Sequence, residues 1–134
     1  MLLYVNICVP VGGALGLQAS LAVLVALDRL YLRAHPQCPG IYASGVRYLR
    51  DAEQRNQETP RAELWLTIPD AVRAGGADCK VLAAWRTAEL LEGGESAACD
   101  VAEVRPGKWH IRVRRGDGSI EDPSRILGMG EAAA

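Results

Sequence analysis

The chain has 134 residues, 49% of them hydrophobic and 23% charged, which suits one domain able to bury a core and excludes wholesale disorder. With 15 basic against 16 acidic side chains, the charge balance speaks against a protein that binds nucleic acid by displacing counterions from phosphates. Phe is absent and only three Trp and four Tyr are present, so a small α+β domain with a core of Leu, Val, Ile and Ala is expected.

Residues 1–27 carry no charged side chain, a length that would also serve a membrane span. Asn6, Pro10, Gly12, Gly13, Gly16, Gln18 and Ser20 interrupt the run, and this punctuation divides it into two pieces. Residues 2–11 read as a strand closed by the turn Pro10-Val11-Gly12-Gly13. From Ala14 to about Ala34 the pattern is helical. Leu15, Ala19, Ala22, Val23, Ala26, Leu27 and Leu30 lie on one broad face, and Leu17, Leu21, Leu24 and Val25 extend it almost all round. A buried helix central to the core is therefore predicted. Asp28, Arg29 and Arg33 end it, and His35-Pro36 stops it, with His35 as a C-terminal cap.

Residues 36–40 form a turn, and 41–48 is an ambiguous segment holding Tyr42 and Tyr48. The stretch 50–61 is densely polar, with Gln54, Asn56 and Gln57 and no large apolar residue, and reads as a solvated loop of the kind that borders sites. Trp65-Leu66-Thr67-Ile68-Pro69 leads into one or two helical turns started by Asp70. Gly75-Gly76 can then adopt conformations closed to other residues. Asp78 is a good N-cap for a helix over 79–92, with Val81, Leu82, Ala84, Trp85, Ala88 and Leu91 as its apolar stripe. Lys80, Arg86, Glu89 and Glu92 are its polar remainder, and Gly93-Gly94 ends it. A single domain over 1–127 is expected, with 128–134 as a frayed tail.

Cys8, Cys38, Cys79 and Cys99 stand 30, 41 and 20 residues apart with no paired spacing, so neither a disulfide framework nor a zinc ribbon is indicated. His35 and Cys38 are close enough to share a metal, but no second pair joins them; a site without metal or cofactor is expected. No basic stretch precedes the apolar N-terminal run, so a reducing compartment with free thiols is the simpler reading. Cys79 opens a helix, where the dipole and unpaired amides favour a thiolate and can hold an oxyanion. The alternative is a small apolar filler at a helix start.

A nucleophilic cysteine needs a base, and His110 lies on an alternating strand over 109–115, with Trp109, Ile111 and Val113 on the other face. A solvated histidine is the alternative there. If Gly116-Asp117-Gly118 is a three-residue hairpin loop with Gly118 left-handed, Arg115 pairs with Ser119 and Arg112 falls opposite Asp122. Asp122 then shares a face with His110, one diagonal step away and within hydrogen-bonding reach. A two-residue loop would send Asp122 to the opposite face, leaving Asp117 as the runner-up orienter. The tripeptide Arg115-Gly116-Asp117 spells an integrin motif, which the needs of the turn already explain. Cys79, His110 and Asp122 together form a thiol acyl-transfer constellation. The Trp65 indole, or Asn56 and Gln57, would complete an oxyanion hole.

Gly75-Gly76-Ala77-Asp78-Cys79, Trp109-His110-Ile111-Arg112-Val113 and Ile120-Glu121-Asp122-Pro123-Ser124 resemble the transglutaminase-like branch of papain-fold cysteine enzymes. The wording is closest to small phage-encoded transglutaminase-like proteins. It extends to 30–35 ahead of a proline, Trp65 with its following Ile-Pro, Leu82-Ala83-Ala84-Trp85-Arg86 and Asp122-Pro123-Ser124-Arg125. Lys80 stands where those relatives commonly carry an acidic residue. The resemblance implies a Cys79–His110–Asp122 triad and a cysteine-bearing helix packed on an antiparallel sheet. It also implies a peptidase, amidase or transglutaminase, or an inactive binding or assembly module on the same fold. A virion protein or cell-wall peptide would be its substrate in the host bacterial cytoplasm or the virion. The span of the resemblance over nearly the whole chain weakens the reading of 1–27 as a membrane anchor, which stays as a third alternative.

Overall fold

The helix that follows Asp78 organises the molecule. A computed structural model describes residues 12–50 and 65–130; the expectations for 2–11, for Cys8, and for the polar loop with Asn56 and Gln57 lie outside them. The described elements are α1 (Gly13–Ala34), a 3-10 turn (Ile41–Ala43), β1 (Arg47–Tyr48), α2 (Ile68–Ala74), β2 (Gly76–Ala77), α3 (Cys79–Glu92), β3 (Ala97–Arg105), β4 (Lys108–Arg115), β5 (Ile120–Glu121) and α4 (Pro123–Ile126). β1 and β2 pair in parallel, and β3, β4 and β5 form an antiparallel sheet in that order. The chain is therefore α+β.

Asp78 starts α3 by accepting a hydrogen bond from the Val81 amide at 3.4 Å, which satisfies one of the unpaired N–H groups at a helix start. The helix packs against α1 and against the β3–β4 hairpin. Val81, Leu82, Ala83, Ala84, Trp85 and Ala88 are buried, facing Leu21 and Leu24 of α1 and Ile111 and Val113 of β4 in one core. Burial of each large side chain in that set is worth about 1.5–3 kcal/mol.

α1 has the predicted extent but not the predicted burial. Only Gly16, Leu21, Leu24 and Asp28 are buried, while Leu15 is 64% and Leu30 60% exposed, with Ala19, Ala22 and Ala26 exposed between them. The buried central helix is α3. Apolar residues surround α1, so hydropathy does not choose its inner face; polar anchors do. Asp28 Oδ1 accepts from the Ile68 amide at 3.2 Å, and Arg29 and Arg33 reach Glu92 of α3 at 2.6 and 2.5 Å. Among the described residues α1 is the one helix long and apolar enough to cross a membrane.

Two glycines set the approach to α3. Gly75, at φ +79°, ends α2 in the left-handed conformation. Gly76 lies so close to β1 that a Cβ there would stand 2.1 Å from the Arg47 carbonyl oxygen. α2 begins two residues ahead of Asp70, with Thr67 before it. At the other end, the amides of Gly128 and Met129 donate to the Arg125 and Ser124 carbonyls, tying the chain to α4 as far as Met129.

Candidate active site

The hairpin expected from its loop residues forms in the expected register. Arg115 N donates to Ser119 O at 2.9 Å, Gly118 is left-handed at φ +86°, and Val113 lies opposite Glu121. Asp117 serves the loop, accepting from the Ser119 amide at 2.8 Å and its hydroxyl at 2.6 Å. Asp122, one step beyond Glu121, brings Oδ2 to 2.8 Å from His110 Nε2. Both side chains are largely enclosed, at 16% and 18% exposure.

A carboxylate oxygen only accepts, so this contact puts the proton of the neutral imidazole on Nε2 and leaves a lone pair on Nδ1. Asp122 has a second role. Its Oδ1 accepts from the Arg125 amide at 3.4 Å and caps α4, while Arg125 Nε stands 3.6 Å from Oδ2.

Cys79 is the first residue of α3 and is partly exposed. The backbone of Ile111, the residue after His110 on β4, acts on the Cys79 thiol; no hydrogen bond joins the thiol to His110 among the described residues. The candidate nucleophile and the candidate base thus lie on two elements, α3 and β4, that pack on one another. The ionisation of Cys79 differs from the expectation. Burial pushes the thiol up from its ordinary range, opposed by the Ile111 amide; Asp78 pushes it further up, and Lys80 opposes that. The helix-start amides do not overcome removal of the sulfur from water. Burial thus favours the thiol over the thiolate at Cys79.

Lys80 is not part of a solvated face. It is 5% exposed, its ammonium donates to Asp78 Oδ2, and it stands 5.3 Å from the centre of the Trp65 ring. Trp65 is thereby placed beside the residue that follows Cys79, and no hydrogen bond joins its indole to the thiol among the described residues. His35 caps α1 as expected, its ring stacked on Tyr31 at 4.1 Å and Nδ1 donating to the Tyr31 carbonyl at 2.9 Å. Cys38 points its thiol at the Pro39 carbonyl. Cys99 contacts the Thr87 hydroxyl at 3.5 Å, and burial pushes it up to about 11. Among the described residues no group of three or more His, Cys, Asp and Glu is placed to hold a metal ion.

Sequence reasoning missed the support behind Asp122. Glu121, on the opposite side of β5, accepts from Tyr42 Oη at 2.5 Å, Arg86 Nε at 2.6 Å and Arg115 Nη1 at 3.2 Å. Burial pushes its carboxyl up, and the donors, led by Arg86 and Tyr42, more than reverse this. The period-2 alternation that placed Asp122 on the His110 face already put Glu121 on the other, which was the available signal. Comparison with protein-family models, with curated proteins and with solved structures finds no match to this chain.

Proposed function

We propose that the protein is a cysteine-dependent acyl-transfer enzyme, a peptidase, amidase or transglutaminase-like crosslinker on a papain-like fold. The observation that carries this reading is the His110 Nε2–Asp122 Oδ2 contact of 2.8 Å, on the strand against which the helix opened by Cys79 packs. The thiol attacks an amide carbonyl as its proton moves to His110 Nδ1. Asp122 stabilises the imidazolium through Nε2–H, and the amides at the start of α3 face the developing oxyanion. His110 then gives the proton to the departing amine, which leaves a thioester on Cys79. Water or a second amine, deprotonated by Nδ1, attacks the thioester and restores the thiol. Because burial favours the thiol form of Cys79, His110 acts as a general base during attack. Resemblance to phage-encoded transglutaminase-like proteins supports a virion protein or cell-wall peptide as substrate, in the host bacterial cytoplasm or the virion.

A second reading, a non-catalytic binding or assembly module, is favoured by the same burial that raises the Cys79 thiol. Incubation with p-nitrophenyl acetate, followed by peptide mass spectrometry, separates the two. The enzyme reading expects an acetyl group on Cys79, little on Cys38 and Cys99, and loss of the Cys79 adduct in His110→Ala. An unmodified Cys79, or equal modification without His110, would favour the binding module.

A further inference from the structure

We propose that Glu121 is a positioning residue for the His110–Asp122 pair, its carboxylate gathering three donors that fix β5 and thereby hold Asp122 against His110 Nε2. The inference rests on the proposed role of His110 as the base.

β5 has only two paired residues, Ile120 with Arg114 and Glu121 with Val113. So short a ladder is a weak support for a residue that must hold a 2.8 Å contact. The Glu121 side chain, 15% exposed, adds the missing restraint. Its three partners come from three different elements: Tyr42 from the 3-10 turn, Arg86 from α3 and Arg115 from β4. The donors are themselves held. Arg86 also pairs with Glu89 at 3.2 Å and lies 5.2 Å from the Tyr42 ring centre, and Arg115 pairs with Glu95 at 2.7 Å. Alternation along the strand puts Glu121 and Asp122 on opposite sides, so the clamp acts on Asp122 through the backbone.

What the clamp protects is a tautomer. With Asp122 in place, the neutral His110 ring carries its proton on Nε2 and presents Nδ1 as a base. If Asp122 drifts by about an ångström, the Nε2–H form loses the acceptor that enforces it, the Nδ1–H form is admitted, and the basic nitrogen is misdirected part of the time. His35 supplies an internal reference, because the Tyr31 carbonyl accepts from its Nδ1 and fixes the opposite tautomer.

The test is the nitrogen-15 signature of both histidine rings, by NMR of the full chain at a pH where the rings are neutral. Wild type is expected to show His110 as the Nε2–H form and His35 as the Nδ1–H form. Glu121→Ala should shift His110 to a mixture, leave His35 unchanged and slow acetylation of Cys79 about tenfold. Tyr42→Phe removes one donor without changing charge and should fall between them; it carries the same test if Glu121→Ala does not fold. A folded variant in which the His110 ring keeps its wild-type signature overturns the inference. An unreactive Cys79 in wild type, together with a tautomer that responds to Glu121, refutes the enzymatic reading while supporting the positioning role.

Discussion

Asp28 makes the stability of this protein fall as pH rises through the neutral range. Its side chain is completely buried, Oδ1 accepts from the Ile68 amide, and Oδ2 has no partner among the described residues. Burial pushes the carboxyl up to about 8, with the Ile68 amide opposing. An unfolded aspartate titrates near 4, so between about 4 and 8 the folded chain binds a proton that the unfolded chain has released. Stability from this group is fully present below about 4 and is lost as pH rises to about 8. Each tenfold in proton affinity is worth about 1.4 kcal/mol, which gives a loss of about 5 kcal/mol across the interval. Cys99, the nearby thiol, does not ionise in that window because it too is pushed up, to about 11. Asp28→Asn keeps an acceptor for Ile68 and removes the charge. Urea unfolding of both proteins at pH 5 and pH 8.5 should show wild type losing several kcal/mol at the higher pH while the variant changes little by comparison. Equal pH dependence in the two would refute the assignment of the slope to Asp28.

Two further outcomes follow from the site's geometry. Gly76→Ala sets a Cβ 2.1 Å from the Arg47 carbonyl oxygen, so the parallel pair must separate and the Arg47–Gly75 and Leu49–Ala77 backbone bonds weaken. A cost of about 3 kcal/mol in urea unfolding is expected from lost hydrogen bonds and strain, and a cost below about 1 kcal/mol would show that β1 yields freely. Asp122→Asn should slow Cys79 acetylation at least tenfold more than Asp117→Asn, since Asp117 bonds only within its loop; the reverse order, read by mass spectrometry, would exclude Asp122 as the orienter.

The parts of the fold that could be read from the sequence were those with local chemistry strong enough to fix geometry. Asp78 with the apolar stripe behind it defined α3, and Gly118 in a three-residue loop fixed the register that joins Asp122 to His110. β3 lacked such a signal: its Ala97, Ala98, Ala102 and Cys99 are small, and its ordering depends on eight residues of β4 opposite. The parallel β1–β2 pair was invisible because it joins residues 29 positions apart, Arg47 with Gly76, in two-residue strands. The burial of Lys80 went unread for a related reason, since it depends in part on Trp65, fifteen residues earlier, standing beside its ammonium. The thiol's ionisation could not be judged from position alone. A helix start suggests a thiolate, whereas the depth of the sulfur, set by β4, works the other way.

The dual use of Asp122 closes the site into a mechanical circuit. The same carboxylate that meets His110 caps α4; Leu127, the residue just past α4, has a carbonyl that accepts from the Tyr48 amide at 2.9 Å. Tyr48 lies in β1, β1 pairs with β2, and β2 runs directly through Asp78 into Cys79. The two candidate site residues Cys79 and His110 are thus connected along two routes, one through the packing of α3 on β4 and one around this ring of short elements. Slack introduced at any link reaches both ends of the ring, so damage at Leu127 or Tyr48, neither of which is a candidate reacting group, would register as a shift of Cys79 relative to His110.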